Sequence, residues 1–219
     1  MADKKVGVLL SGCGVFDGAE IHEAVLTLLY IDQLGAEAVC MAPNINQAQV
    51  INHLTQAETD ETRNVLVESA RIARGEIQNL AEVTADQIDA LILPGGFGAA
   101  KNLSEFAFKG PQGAVNGQVK DLLLAMLAAG KPVGALCIAP ATVGMALSEK
   151  SPLLTVGSEE GVIGALAAIG VKHQLCTVDE IAVDEANKIV TTPAYMLGPG
   201  IKDVAIGIGK LVQKVLEMA

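Results

Sequence analysis

Short runs that are apolar at every position alternate along this chain with longer stretches whose apolar residues recur every three to four positions. Val6-Gly7-Val8-Leu9-Leu10 has no polar face, the pattern of a strand covered on both sides. Residues 21–34 carry Ile21, Val25, Leu28, Leu29 and Ile31 at helical spacing, and Gly35 follows as a C-cap. Residues 37–41 read as a second strand stopped by Pro43, and residues 65–73 as a helix ending near Gly75. Residues 88–93 read as a strand halted by Pro94-Gly95-Gly96, residues 119–129 as an apolar helix ending at Gly130, and residues 132–136 as a strand. Thr155-Val156 and residues 181–183 and 189–191 read as short strands; residues 162–169 and 201–216 read as helices. Such alternation predicts an α/β fold, a doubly wound sandwich with a mostly parallel sheet and helices on both faces. With no repeat, low-complexity segment or linker, residues 1–219 are expected to form a single domain. Polar residues 44–63 are expected to be an insertion over a sheet edge or the site mouth, and glycine-rich residues 109–117 a mobile loop.

Composition narrows the function. The chain is 51% hydrophobic but only 3% aromatic, so the core is aliphatic. Its formal net charge of −10 argues against nucleic acid, which requires basic stripes to replace phosphate counterions, and against an anionic membrane surface. No stretch reaches the roughly 18 apolar residues of a membrane span, and the start of the chain has too short an apolar run for a secretory signal. Cys13, Cys40, Cys137 and Cys176 are far apart, as expected for free thiols in a reducing compartment, here read as the cytoplasm. His22, His53 and His173 show no metal-ligand spacing, so neither a metal nor another cofactor is expected.

In an open α/β sheet, ligands bind beyond the carboxyl ends of the strands. Three such ends carry unusual chemistry. Val133-Gly134-Ala135-Leu136-Cys137-Ile138-Ala139-Pro140 reads as a nucleophile elbow, with a thiol at the start of a helix whose N-terminal field favours thiolate. The same segment also suits a small buried core cysteine. Pro94-Gly95-Gly96-Phe97-Gly98 is either an oxyanion-binding turn acting with the N–H of Ile138 or a plain strand-to-helix turn. Gly12 to Gly18 is one residue too long for a dinucleotide fingerprint, and the acidic residue expected at the end of the second strand is missing. Glu20 and Glu23 open the first helix; both complement its dipole, and either suits a proton shuttle beside a thiolate. His22 reads as an exposed helix residue.

Leu93-Pro94-Gly95-Gly96, Ala100-Lys101-Asn102-Leu103-Ser104 and Leu136-Cys137-Ile138-Ala139-Pro140 resemble the PfpI-like branch of the class I glutamine amidotransferase superfamily, which includes the parkinsonism-associated deglycase. Ser11-Gly12-Cys13-Gly14, Glu20-Ile21-His22-Glu23, Asn52-His53-Leu54-Thr55 and Thr191-Thr192-Pro193-Ala194-Tyr195-Met196 are similar to the narrower ElbB group, isoprenoid-biosynthesis proteins with an amidotransferase-like domain. The resemblance implies a flavodoxin-like fold, a homodimer, and a glutathione-independent glyoxalase that converts glyoxal, a small 2-oxoaldehyde, to glycolate. It implies Cys137 as nucleophile, Glu23 as the glutamate bonded to the thiol, and Gly95, Gly96 and Ile138 as oxyanion-binding N–H donors. The chain departs from the family where a histidine is expected. Ile138 follows the nucleophile, and residues 156–158 lack the deglycase-type histidine, which leaves His173 and Glu159 as substitutes. That departure argues against peptidase and amidotransferase chemistry and keeps a second class open, a regulatory protein whose Cys137 is oxidised.

Overall fold

The computed structural model describes residues 4–219. Five strands form the parallel body of a sheet: β1 (Lys5–Leu9), β2 (Glu37–Ala42), β4 (Ala90–Leu93), β5 (Val133–Leu136) and β9 (Ile189–Thr192). The short β3 (Gln78–Asn79) extends one edge, and β8 (Ala182–Asp184) closes the other as the antiparallel member. The order is β3-β2-β1-β4-β5-β9-β8. The expected doubly wound α/β architecture is present.

The all-apolar strands are explained by cover on both faces. Val6, Val8 and Leu10 point into one cluster with α1 (Ile21–Gln33), α2 (Val65–Ile72) and α8 (Ile201–Met218). Leu9, Leu91, Leu93 and Val133 point into the other with α3 (Phe97–Lys101), α5 (Gly117–Ala128), α6 (Ala139–Ala146) and α7 (Glu160–Ala167). The helix limits follow local chemistry. Glu20 caps α1 by accepting from the Glu23 N–H at 2.8 Å, and Gly35 leaves the helix at φ +74°. Asn64 caps α2 through the Val67 N–H at 3.1 Å.

Two regions differ from the sequence reading, and a third, residues 44–63, is given its place. The strand expected at Thr155-Val156 lies one pair earlier, as β6 (Leu153–Leu154), and joins β7 (Lys172–His173) in a separate two-stranded sheet. Thr155 instead donates its N–H to Thr191 Oγ1 at 2.9 Å. The segment expected to be a mobile loop is braced. It follows α4 (Phe106–Lys109), contains a 3₁₀ turn at Gly110–Gln112, and is held where Glu105 accepts from Lys109 Nζ at 2.7 Å and the Ala114 N–H at 3.0 Å. Residues 44–63 lie over the loop after β1: Ile51 donates its N–H to Asp17 at 2.7 Å, and Phe16 donates its N–H to His53 Nε2 at 3.2 Å.

Asp184 ties the small sheet to the main one. Its buried carboxylate accepts from the Leu153 N–H and from Asn187 Nδ2, both at 2.8 Å, and from the Asn187 N–H at 3.1 Å. Burial alone raises its pKa, but these bonds outweigh burial and hold it below the ordinary aspartate value. Asp184→Ala should therefore cost about 2–3 kcal/mol at neutral pH. A group with a depressed folded pKa stabilises above its unfolded pKa and loses that stabilisation on acidification. Urea denaturation should show the gap between wild type and Asp184→Ala narrowing below the ordinary aspartate range; a gap unchanged by acid would exclude an ionised Asp184 as its source.

Candidate active site

The parallel strands place Ser11, Pro94 and Cys137 at the same edge of the sheet. The order reverses at β1, whose neighbours are β2 and β4, so the following segments leave for opposite faces and open a crevice. Cys137 sits there at φ +59°, in the left-handed region. A non-glycine residue there costs of order 1–3 kcal/mol, held by the surrounding structure. Here the Cys137 N–H donates to Thr192 O at 3.1 Å, Leu136 is fully buried, and α6 begins two residues later with Pro140 in its first turn. The elbow reading holds, and the thiol is also largely buried, at 8% exposure.

Glu23 stands beside it, 0% exposed, in the first turn of α1. Its Oε2 accepts from the Gly95 N–H at 2.9 Å, its Oε1 accepts from the Tyr195 N–H at 3.2 Å, and its carboxyl is hydrogen-bonded to Cys137. Burial pushes its pKa up to about 8, against the opposing pull of these bonds, so Glu23 holds a proton at neutral pH. The structure thus chooses between the two glutamates: Glu20 caps the helix and reaches the cavity wall, whereas Glu23 touches the thiol.

The expected lowering of the Cys137 pKa by the helix terminus is corrected. Burial pushes the thiol well above its usual value, and the charge of Glu23 adds to this; the N–H groups of Gly96 and Ile138, both on the sulfur, only offset it in part. A protonated Glu23 removes the opposing charge, leaving the two N–H groups to stabilise sulfur anion. Cys137 and Glu23 therefore form a hydrogen-bonded, electrostatically linked pair rather than an isolated thiolate beside an ordinary carboxylate.

The five expected site residues, Cys137, Glu23, Gly95, Gly96 and Ile138, come together, with one change of role. The Gly95 N–H is engaged by Glu23, which leaves Gly96 and Ile138 as the two backbone donors on the Cys137 sulfur. Both glycines are also required sterically. A Cβ on Gly95 would lie 2.6 Å from Glu23 Oε2 and against Cys137 Cβ, and one on Gly96, at φ +93°, would strike the Gly18 and Glu20 backbone. Gly95→Ala should force the thiol and the carboxyl apart and cost about 1–3 kcal/mol of stability. Urea denaturation checks this, with a wild-type midpoint as the contrary result.

The crevice is a cavity of about 400 Å³. Val15, Phe97, Ile138, Val162 and Met196 make its walls apolar, and Glu20, Glu159 and Tyr195 supply the polar groups around Cys137. A larger hollow of about 490 Å³ lies among Leu124, Lys150, Glu185 and Lys188 and is lined by no thiol or hydroxyl side chain. Of the two substitutes for the missing histidine, Glu159 lines the cavity. His173 does not: its Nε2 accepts from the Val156 N–H at 3.2 Å, and burial lowers its pKa. Cys13 is outside the cavity lining, and its charged neighbours are Glu68, Arg71 and Asp17. Tyr195 was not singled out from sequence, although it is one of only two tyrosines and lies in the 191–196 motif. Among the described residues no group of three or more His, Cys, Asp or Glu side chains is placed to hold a metal ion.

No protein-family model matches the chain. It is 46% identical over 224 residues to human glutamine amidotransferase-like class 1 domain-containing protein 3, mitochondrial, covering 98% of this chain and 83% of the human one. A crystal structure of an isoprenoid biosynthesis protein with amidotransferase-like domain from Ehrlichia chaffeensis superposes with a TM-score of 0.92 at 35% identity, over 98% of this chain and 99% of that one. Drosophila DJ-1beta, at 18% identity and a TM-score of 0.59 over 99% of this chain and 96% of its own, shares the fold. The cytoplasmic expectation is overturned by the relatives' names: the human protein and the rat and zebrafish ES1 proteins are all named mitochondrial. Scattered free cysteines report a reducing environment, which does not specify a compartment. With this identity and coverage, the chain belongs to the glutamine amidotransferase-like class 1 domain family that includes the ES1 homologues.

Proposed function

We propose that this chain is a Cys137-dependent glyoxalase that converts small 2-oxoaldehydes, glyoxal first among them, to 2-hydroxy acids without glutathione. The observation that carries this reading is a buried thiol sharing a hydrogen bond with a protonated buried carboxyl, under two backbone N–H donors. The Cys137–Glu23 pair reacts with a single proton between its members: sulfur adds as thiolate to one aldehyde carbon, and the resulting oxyanion, held by the Gly96 and Ile138 N–H groups, takes that proton from Glu23 to give a hemithioacetal. Glu23, now ionised, removes the hydrogen from that carbon as a proton and delivers it to the neighbouring carbon, while the hemithioacetal hydroxyl proton passes to the oxygen on that neighbouring carbon. The product is a 2-hydroxyacyl thioester on Cys137. Water adds to its carbonyl, the C–S bond breaks, and the hydroxy acid leaves. The mechanism requires a proton carrier at both carbons, which Glu23 supplies, and no Cys–His pair.

The cavity supports a small, uncharged substrate. Its walls are apolar, and Glu20 and Glu159 repel anions, including the carboxylate product. A redox-sensing role is less well supported, since a buried thiol with a raised pKa carries little of the thiolate that peroxide attacks. A place near isoprenoid metabolism rests on the name of the Ehrlichia protein alone. The test is glycolate formation from glyoxal in the absence of glutathione. Formation that requires Cys137 supports the reading, and none in the wild type overturns it.

A further inference from the structure

Hydrolysis of the thioester releases a proton that must finally reach solvent, and Glu23 has no surface from which to pass it on. Its carboxyl is fully buried, closed over by the backbone of Gly95 and Tyr195. A second acid–base group must face the cavity and lead to solvent. Tyr195 meets both conditions. It lines the cavity beside Cys137, and its hydroxyl lies 2.8 Å from Nδ1 of His22. His22 is on the exposed side of α1, one residue before the glutamate that touches the thiol. The two rings are 5.8 Å apart between centroids.

The placement of Tyr195 is built into the fold. It follows Ala194, which is fully buried and sits at φ +44°, a conformation that non-glycine residues rarely adopt. That turn is closed by Gly198 donating its N–H to Ala194 O at 2.9 Å. The strained turn presents the tyrosine's backbone N–H to Glu23 while the residue lines the cavity.

We propose that Tyr195 and His22 form the acid–base pair that deacylates Cys137, in the role for which thiol enzymes commonly use a histidine at the nucleophile itself. As water attacks the thioester carbonyl, its proton passes to the Tyr195 oxygen while the phenolic proton passes to His22 Nδ1. The carbon–sulfur bond breaks, with the electron pair returning to Cys137, and imidazolium loses its proton to solvent. Tyr195 contacts the reacting water and is the catalytic member; His22 acts through it as a positioning residue and proton acceptor.

The inference rests on the glyoxalase reading for its natural thioester, so its test uses a thioester made another way. p-Nitrophenyl acetate should acetylate Cys137 with release of p-nitrophenol, and intact mass follows the loss of acetyl. Tyr195→Phe and His22→Ala should each slow deacetylation about 100-fold. Added imidazole should restore the rate in His22→Ala, where the surface position admits it, and not in Tyr195→Phe. Wild-type deacetylation in acetylated Tyr195→Phe would overturn the proposal, as would a loss confined to Glu159→Gln or Glu20→Gln, the two carboxylates that also line the cavity. A failure of glyoxal turnover leaves this measurement intact, so the two readings fail separately.

Discussion

Cys137→Ala should abolish glycolate formation, by about 10⁴-fold or more, while the protein stays folded. Without sulfur no covalent adduct forms, and the Gly96 and Ile138 N–H groups have no tetrahedral oxyanion to hold. The structural cost is small, because one buried heavy atom is removed and alanine meets the same backbone strain at φ +59°. Circular dichroism and thermal melting should match wild type within a few degrees. The decisive comparison is glycolate yield at equal protein concentration. Turnover retained in Cys137→Ala would move the chemistry away from the elbow altogether, and an unfolded variant would be replaced by Cys137→Ser, which keeps the volume and loses the soft nucleophile.

Glu23→Gln should lower kcat by about 10²–10⁴-fold, because an amide cannot carry the proton between the two carbons. The wild-type pH profile should have its rising limb near 8, where the Cys137–Glu23 pair loses its first proton. In Glu23→Gln that limb should move, since only the thiol remains to titrate. The same carboxyl has a stability signature. A folded pKa raised to about 8, against an ordinary glutamate in the unfolded chain, gives stability that is full below the unfolded pKa and declines as pH rises to the folded one. The decline is about 1.4 kcal/mol per pH unit across that window. Glutamine does not ionise, so Glu23→Gln should gain on wild type steadily from pH 5 to pH 8. Its fixed offset is unfavourable, because its amide nitrogen must face either the Gly95 or the Tyr195 N–H. A stability difference independent of pH would place a permanently ionised or solvated carboxyl at position 23. Activity and stability are thus opposed at this residue, as expected where a buried acid is kept for its chemistry.

The legible and illegible parts of the molecule divide by the range of the forces that set them. Strand β5 and the elbow can be read because an unbroken apolar run, a cysteine and a proline shortly after it are adjacent in the chain. The limits of α1 are equally local, set by the Glu20 cap and Gly35, although the apolar residues that signalled it, Ile21, Val25 and Leu29, stay exposed while Glu23, Ala24 and Thr27 are buried. Helix α6 has no such signal: nearly all of its residues from Ala139 to Ala146 are buried, so no polar face marks its period. The 109–117 segment shows glycines to the reader but conceals the carboxylate of Glu105 that holds it.

By itself the sequence determined the doubly wound fold, the thiol at a strand end and the glycine turn beside it, since burial patterns, turn residues and positive-φ positions are properties of neighbours along the chain. The family resemblance pointed to Glu23, but only the tertiary structure placed it rather than Glu20 against the thiol, turned the Gly95 N–H to the carboxyl, and set Tyr195 and His22 in contact. It also reversed the expected shift of the Cys137 pKa. These follow from desolvation and from hydrogen bonds between α1, the turn after β4 and the turn after β9. No local pattern records either, because each depends on which distant backbone closes over a side chain.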